Sequence, residues 1–274
     1  MNNNIKLLQG DCLQLMDNIP DKSIDLILCD MPYGTTNLDF DKQPICLTEL
    51  WKQYNRIIKD NAAVLLFSAQ PFTTDLICSN RKMFRYEIIW KKTLASGFLN
   101  ANKMPMKAHE NICVFYKKLP VYHPQMYVLN KEEIKQKGVK IGRERVKRNG
   151  IYKQYKDFRK CSYTEKGTRY PNDVIEFSNW NGVIYGNNKN ATKHPTQKPV
   201  PLLEYLINTY SNEQDVVLDN CMGSGSTGIA CMNTKRKFIG MEIDKKYFDI
   251  SKQRIENSLK DIFLQKEVIP CQKE

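Results

Sequence analysis

The chain has 274 residues, 41% of them apolar, which is enough for one large α/β core with an appended segment. Its longest uninterrupted apolar run, residues 62–67, is far too short to span a bilayer, and residues 1–10 lack the apolar core of a signal peptide. A soluble, cytoplasmic protein is therefore expected.

Taken in chain order, Ile5–Leu8 and Ile24–Cys29 are apolar runs of buried-strand length. Leu47–Ile58 then places Leu47, Leu50, Trp51, Tyr54, Ile57 and Ile58 at helical spacing. Further strands are predicted at Ala63–Phe67, Tyr86–Trp90 and Ile112–Tyr116. The pattern resumes near residue 200 with helix Pro201–Tyr210, strand Val216–Leu218, helix Ser226–Asn233, strand Phe238–Met241 and helix Tyr247–Leu259. Alternating strands and helices on both sides predict an α/β fold with one doubly wound, mostly parallel, Rossmann-like sheet. It is split in sequence into a first half over 1–118, an insert over 119–190 and a second half over 191–274.

The formal net charge of +12 is concentrated in one stretch that contains the insert. Residues 117–198 hold 19 Lys/Arg against 7 Asp/Glu, so the remainder is balanced. The same stretch interleaves Tyr122, Tyr127, Tyr152, Tyr155, Phe158, Tyr163, Tyr170, Phe177, Trp180 and Tyr185 with the cations. A charge run alone reads as a solvated face. Phosphate-neutralising cations mixed with flat side chains, carrying the whole imbalance of the molecule, point to nucleic acid.

The nine cysteines, at 12, 29, 46, 78, 113, 161, 221, 231 and 271, form no C-x-x-C pair, and none sits at zinc-ligand spacing with a histidine. They read as reduced, buried intracellular thiols, and no metal is expected. His109 and His123 have no carboxylate or thiolate at ligand spacing and read as structural. Trp90, followed by Lys91 and Lys92, is open between core packing and a stacking or phosphate role.

Asp219-Asn220-Cys221-Met222-Gly223-Ser224-Gly225-Ser226-Thr227-Gly228 follows a predicted strand and opens a helix. Such a glycine turn admits close ligand approach and exposes helix N-terminal amides. Gly223, Gly225 and Gly228 satisfy G-x-G-x-x-G, with Glu242 after the next strand, which taken literally is a dinucleotide fingerprint. Asp219 before the turn suits the cationic end of S-adenosylmethionine better than a pyrophosphate. The plain alternative is a tight strand-helix connection with no ligand.

Asp30-Met31-Pro32-Tyr33 follows the strand Ile24–Cys29 directly, at the sheet edge where ligands bind in open α/β folds. The Asp30 carboxylate and the Met31 carbonyl could accept the two N–H groups of an exocyclic base amine, with Pro32 fixing the turn and Tyr33 offering its ring to the base. A capped turn with a packed Tyr is the plain alternative here. Thr35, Thr36 and Asn37 follow, as DNA contacts or as turn residues.

The tetrapeptide resembles the D-P-P-Y motif of amino-methyltransferases, and Asp219–Gly228 resembles their D-P-F-x-G-x-G-T-T motif. His194-Pro195-Thr196-Gln197-Lys198-Pro199 is similar to their H-P-T-x-K-P segment. The order of the three around a basic insert resembles the β-class, and the leading acid its site-specific adenine-N6 enzymes. The resemblance covers roughly residues 5–116 and 190–260.

It implies a DNA methyltransferase acting on N6 of adenine in double-stranded DNA, with S-adenosyl-L-methionine as cofactor and N4 of cytosine as the alternative target. It implies catalytic roles for Asp30, Met31, Pro32 and Tyr33, and cofactor binding by Asp219, Gly223, Gly225, Glu242, Asp11, Thr196 and Lys198. The first half then carries catalysis, the insert target recognition and the second half the cofactor. A homodimer and a separate restriction endonuclease are further partners that it suggests. Met31 departs from the first proline of the motif, and Asn220-Cys221 from its Pro-Phe. A nicotinamide-dependent dehydrogenase would explain the glycine fingerprint and nothing else, and an inactive DNA-binding module need not keep Asp30 and Tyr33.

Overall fold

The computed structural model describes residues 4–34, 45–146, 162–179 and 197–267. In chain order its elements are β1 (Ile5–Gln9), α1 (Cys12–Met16), β2 (Ile24–Cys29), α2 (Leu47–Ile57), β3 (Ile58–Ser68), α3 (Phe72–Ser79), β4 (Phe84–Ser96), β5 (Lys107–Phe115), β6 (Tyr127–Val128) and α4 (Lys131–Gln136). There follow β7 (Glu144–Val146), β8 (Ser162–Thr164), β9 (Thr168–Arg169), β10 (Val174–Phe177), α5 (Val200–Tyr210), β11 (Val216–Asp219), α6 (Ser226–Asn233), β12 (Lys237–Glu242) and α7 (Lys245–Glu267).

Eight strands form one sheet in the order β1-β12-β11-β2-β3-β5-β4-β10. Its neighbours pair in parallel except at β5, which runs antiparallel to both β3 and β4. The mostly parallel α/β sheet is the expected one. Alternation along β2 shows why its sequence is continuously apolar. Ile27 and Cys29 pack with Met16, Trp51 and Tyr54 on one face, while Leu26 and Leu28 pack with Leu202, Leu206, Tyr210 and Phe238 on the other. Both faces are covered by helices, so the strand has no solvated side.

In α2, Leu50, Trp51, Tyr54 and Ile57 are buried at helical spacing. Each such side chain contributes about 1.5–3 kcal/mol on burial. The helix is also tied to the end of α1. Arg56 Nη2 donates to the Met16 carbonyl at 2.6 Å and Nη1 to the Ile19 carbonyl at 2.7 Å, just past that helix.

The chain divides into two compact units, one comprising residues up to 123 together with those from 173 onward, the other residues 124–172. Val174–Phe177 falls within the stretch expected to form the insert, yet it is an edge strand of the main sheet, with Val174 opposite Ile89 and Phe177 opposite Lys92. Trp90, 2% exposed, donates its indole N–H to the Phe177 carbonyl at 3.0 Å, which places it in the core.

Within the smaller unit, β6 pairs with β9 and β7 with β8, both antiparallel. A capping box opens α4, in which Asn130 and Glu133 each accept the other's backbone N–H. Glu165, 3% exposed, accepts from Gly167 N at 3.0 Å and from Arg169 Nη1 at 2.8 Å, pinning the turn into β9. Tyr152, Tyr155, Phe158, Trp180 and Tyr185 lie outside the described residues.

Candidate active site

Because β1, β2, β11 and β12 run in parallel, their ends deliver Asp11, Asp30, Asp219 and Glu242 to one edge of the sheet. β11 and β2 are neighbours, with Leu218 opposite Ile27. The two expected motifs therefore sit side by side. β5 runs the other way, so its beginning, with Glu110 opposite Trp90, reaches that same edge.

Asp30 is the centre of a connected set. Its Oδ1 accepts the Tyr33 hydroxyl at 2.6 Å and its Oδ2 accepts Lys198 Nζ at 2.5 Å. The Tyr33 ring stacks on Phe72, with centroids 5.1 Å apart and planes 18° from parallel. Burial first, then the nearby Asp30 and Glu110 charges, hold the Tyr33 phenol well above its usual pKa. It is a hydrogen-bond donor at neutral pH. Met31, 2% exposed, faces the core beside α2, so an apolar side chain replaces the proline of the motif without exposing anything.

Lys198 extends the set away from Asp30. Its Nζ lies 3.3 Å from Glu110 Oε2 and 5.1 Å from the centroid of the Phe67 ring. Glu110 Oε1 in turn holds Lys92 Nζ at 2.5 Å. Burial works against the Lys198 charge, but the combined pull of Asp30 and Glu110 outweighs it and raises its pKa. Burial likewise opposes the Glu110 charge, and Lys198 and Lys92 together overcome it, so its pKa is lowered. Lys198 and Glu110 therefore stay ionised around neutrality. Lys198, expected among the cofactor-binding residues, thus has its ammonium on the Asp30 carboxylate.

The glycine turn is closed by two carboxylates. Gly223 (φ 48°) and Gly225 (φ 80°) adopt left-handed backbone that other residues resist. Asp219, 3% exposed, accepts the Cys221 amide at 3.1 Å on Oδ1 and the Thr227 hydroxyl at 2.6 Å on Oδ2. Burial nonetheless pushes its pKa up to about 7, against those two bonds. Glu242 Oε2 accepts the Gly223 amide at 2.9 Å and Oε1 the Asp244 amide at 2.9 Å, and burial raises its pKa too. The Ser226 hydroxyl, at the start of α6, is buried with no hydrogen-bond partner among the described residues. Asp11 is exposed and caps α1 through Leu13 N at 2.8 Å, while Gly10 N donates to the Glu242 carbonyl at 2.9 Å, so the two acids are neighbours.

The motif departure at Asn220 has a structural reason. Its Oδ1 accepts the buried Tyr54 hydroxyl at 2.6 Å, and its Nδ2 donates to Cys12 Sγ and Cys221 Sγ at 3.6 Å each. A polar tie to α2 and two thiols takes the place of aromatic packing.

His194, Pro195 and Thr196, like Thr35, Thr36 and Asn37, lie outside the described residues. Sequence reasoning missed Glu110, because the direction of β5 is not written in its composition, and Phe72, whose helix α3 showed no capping signal. His123 Nε2 meets Asn212 Oδ1 at 2.9 Å. Of the thiols, Cys12, Cys29, Cys113 and Cys231 are buried as expected, but Cys46 and Cys78 are exposed. Among the described residues no group of His, Cys, Asp and Glu is placed to hold a metal ion, and no helix is long and apolar enough to cross a membrane.

The type II methyltransferase M.HpaI of Haemophilus parainfluenzae is 27% identical over 261 residues, covering 92% of this chain and 74% of its own length. The DNA adenine methyltransferase YhdJ of Escherichia coli (strain K12) is 27% identical over 271 residues, covering 91% and 82%. Among solved structures, the PvuII DNA methyltransferase (cytosine-N4-specific) superposes with a TM-score of 0.62 at 16% identity over 95% of this chain and 93% of that one. The M1.HpyAVI–SAM complex superposes with a TM-score of 0.56 at 23% identity over 91% and 99%. These likenesses share the fold found here. The family model described as DNA methylase matches residues 24–253, which include both the Asp30 turn and the Gly223–Gly225 turn, and the chain belongs to that family.

Proposed function

We propose that this DNA methylase transfers a methyl group from S-adenosylmethionine to N6 of adenine at a short site in double-stranded DNA. One observation carries the reading. A carboxylate, Asp30, stands beside a stacked tyrosine at the end of one strand, and the adjacent strand opens the glycine turn. An exocyclic amine is a poor nucleophile because its lone pair is delocalised into the ring. Acceptance of its N–H groups by Asp30 and the Met31 carbonyl would localise that pair, and the Tyr33 face would hold a base turned out of the duplex.

The residues present fit the proposed cofactor. Asp219, Glu242 and Asp11 surround the turn with acid, and the unpartnered Ser226 hydroxyl awaits a polar group. A pyrophosphate fits badly there. It would meet those carboxylates, and the Gly223 amide it requires is already taken by Glu242. That argues against the dehydrogenase reading. Asp219, the turn amides and Glu242 would hold the cofactor, with Asp11 and Thr196 as further contacts. When bound, it supplies an electrophilic methyl group on a cationic sulfur. The contribution of this chain is to bind and orient both reactants.

The 124–172 unit holds 14 Lys/Arg against 5 Asp/Glu, which supports a phosphate-contacting role in target recognition. On the main sheet, the β4–β5 hairpin carries exposed Phe98, Leu99 and Met104, with Lys103 and Lys107 beside them. It extends from the catalytic edge. The type II names of relatives such as M.HpaI support a place beside a separate endonuclease. A homodimer rests on the family resemblance alone, and work in the cytoplasm follows from the substrate.

The test is to incubate the protein with radiolabelled S-adenosylmethionine and unmethylated genomic DNA, then identify the labelled base by mass spectrometry. N6-methyladenine is the expected product. N4-methylcytosine would replace the target base, and no label in DNA despite cofactor binding would overturn the reading.

A further inference from the structure

Both oxygens of Asp30 are occupied in the free chain, one by the Tyr33 hydroxyl and the other by Lys198 Nζ. A carboxylate held at 2.5 Å by an ammonium is a weakened acceptor, because much of its charge is already neutralised. An amine arriving at Oδ2 has to compete with that contact. Taken alone, the pair Asp30–Lys198 works against the role assigned to Asp30.

The other neighbour of Lys198 resolves the conflict. Glu110 Oε2 lies 3.3 Å from Lys198 Nζ, inside ion-pair range. Yet the same oxygen is fully buried and, among the described residues, makes no hydrogen bond of ordinary geometry, while the ammonium donates to Asp30. The second Glu110 oxygen is held by Lys92 at 2.5 Å, and the Glu110 backbone is fixed opposite Trp90 within the sheet. The Lys198 side chain is only 11% exposed, so water does not readily replace a lost partner. A rigid, charged, unsatisfied acceptor therefore sits one short movement from a shared ammonium. Buried acceptors are seldom left in that state without a reason.

We propose that Glu110 is a positioning residue that takes over the Lys198 ammonium when the target amine engages Asp30. The movement gives Glu110 Oε2 its missing hydrogen bond, keeps Lys198 paired throughout and leaves Asp30 Oδ2 free as a full carboxylate. No bond is made or broken and no proton moves. Glu110 reaches the site because β5 runs against its neighbours in the main sheet, which makes that antiparallel strand part of the proposed active site. The inference rests on the methyltransferase reading above for its consequence, but not for the contact itself.

Two measurements on Glu110→Gln test it. The first needs neither cofactor nor DNA: the rate of reductive methylation of Lys198 by formaldehyde and cyanoborohydride, followed by peptide mass spectrometry. Loss of one of two anionic partners should make Lys198 react several-fold faster. An unchanged rate would overturn the proposed coupling, whatever the protein methylates. The second is steady-state transfer to unmethylated genomic DNA. Glu110→Gln should lower kcat at least about tenfold, with KM for DNA and cofactor affinity within about twofold of the wild type. Glu110→Asp, which keeps the charge, should recover part of the loss. A wild-type kcat in Glu110→Gln, or a loss that appears only in KM, would overturn the positioning role. Thermal melting of each variant separates these outcomes from misfolding. If the wild type itself transfers nothing to DNA, the functional reading falls while the labelling result still decides the Glu110–Lys198 contact.

Discussion

Glu242 Oε2 accepts the backbone N–H of Gly223 at 2.9 Å, so the acid that ends β12 also holds the glycine turn that follows β11. The same carboxylate takes the Asp244 amide on its other oxygen. A residue read from sequence as a cofactor ligand is thus also a brace for the loop that would cradle the cofactor. Carboxylate oxygens each have two lone pairs, so the two roles are compatible. Glu242→Gln keeps the size and one acceptor but loses the charge and forces a donor towards a backbone amide. It should weaken S-adenosylmethionine binding about 10- to 100-fold by titration calorimetry, through the turn and the ribose contact together. Wild-type affinity would show that the turn holds without the brace.

Asp219 sets a pH dependence that can be measured on the free chain. Burial raises its pKa to about 7, against about 3.9 when unfolded. The folded state therefore binds the extra proton between those values, and the resulting stabilisation is present below about pH 4 and is lost as pH rises through about 7. Glu242, also raised, acts with the same sign. The melting temperature of the free protein should fall across this window, less steeply in Asp219→Asn. Because a cationic ligand favours the ionised carboxyl, cofactor affinity of the wild type should rise over the same range. A flat affinity profile would separate Asp219 from the cofactor.

Substitutions at Asp30 and Tyr33 divide chemistry from binding. Asp30→Ala removes the proposed amine acceptor and should reduce transfer about 100-fold or more while leaving cofactor affinity nearly intact. Tyr33→Phe keeps the ring on Phe72 and loses the hydroxyl bond to Asp30 Oδ1, so its loss should be about five- to tenfold. Equal, small effects of both would mean that neither touches the target base.

Charge in the smaller unit predicts a salt signature. Replacing Lys135, Lys137, Lys140 and Arg143 with Gln leaves the Asn130–Glu133 capping box in place. DNA affinity should drop, and the slope of log affinity against log salt should fall by about 0.9 for each phosphate contact removed. Filter binding at several salt concentrations measures both. An unchanged slope would take the phosphate role away from these residues.

What the sequence made legible was whatever depends on local pattern. The run Ile24–Cys29 followed by Asp30, and Val216–Leu218 followed by Asp219, each announce a buried strand that hands a carboxylate to the sheet edge. Both lie where the pattern places them. Direction is a different matter. Nothing in Lys107–Phe115 says that it runs against β3 and β4, and so nothing places Glu110 next to Lys198, 88 positions further along the chain. Likewise Val174–Phe177 is broken by Glu176 and set among the basic and aromatic residues, and only its pairing with β4 removes it from the insert. Long-range partners are chosen by the assembled sheet, which local periodicity does not encode.

Asn220 gives the sharpest check on that distinction, because its motif position alone suggests a loss rather than a gain. Where the family pattern has proline, Asn220 accepts the Tyr54 hydroxyl at 2.6 Å in a fully buried contact that joins α2 to the glycine turn. Tyr54→Phe removes one oxygen, changes no packing and leaves the Asn220 carbonyl without its donor. A buried acceptor stripped of its partner costs about 1–3 kcal/mol, and urea denaturation should show that loss as a lower midpoint with an unchanged m-value. Because Asn220 opens the turn closed by Asp219 and Glu242, cofactor affinity should fall in the same variant even though Tyr54 lies beneath the turn. If stability falls and affinity does not, the tie anchors the helix layer alone. If neither moves, the Asn220 amide finds its partners elsewhere, and the polar replacement of Pro-Phe has no structural role at this position.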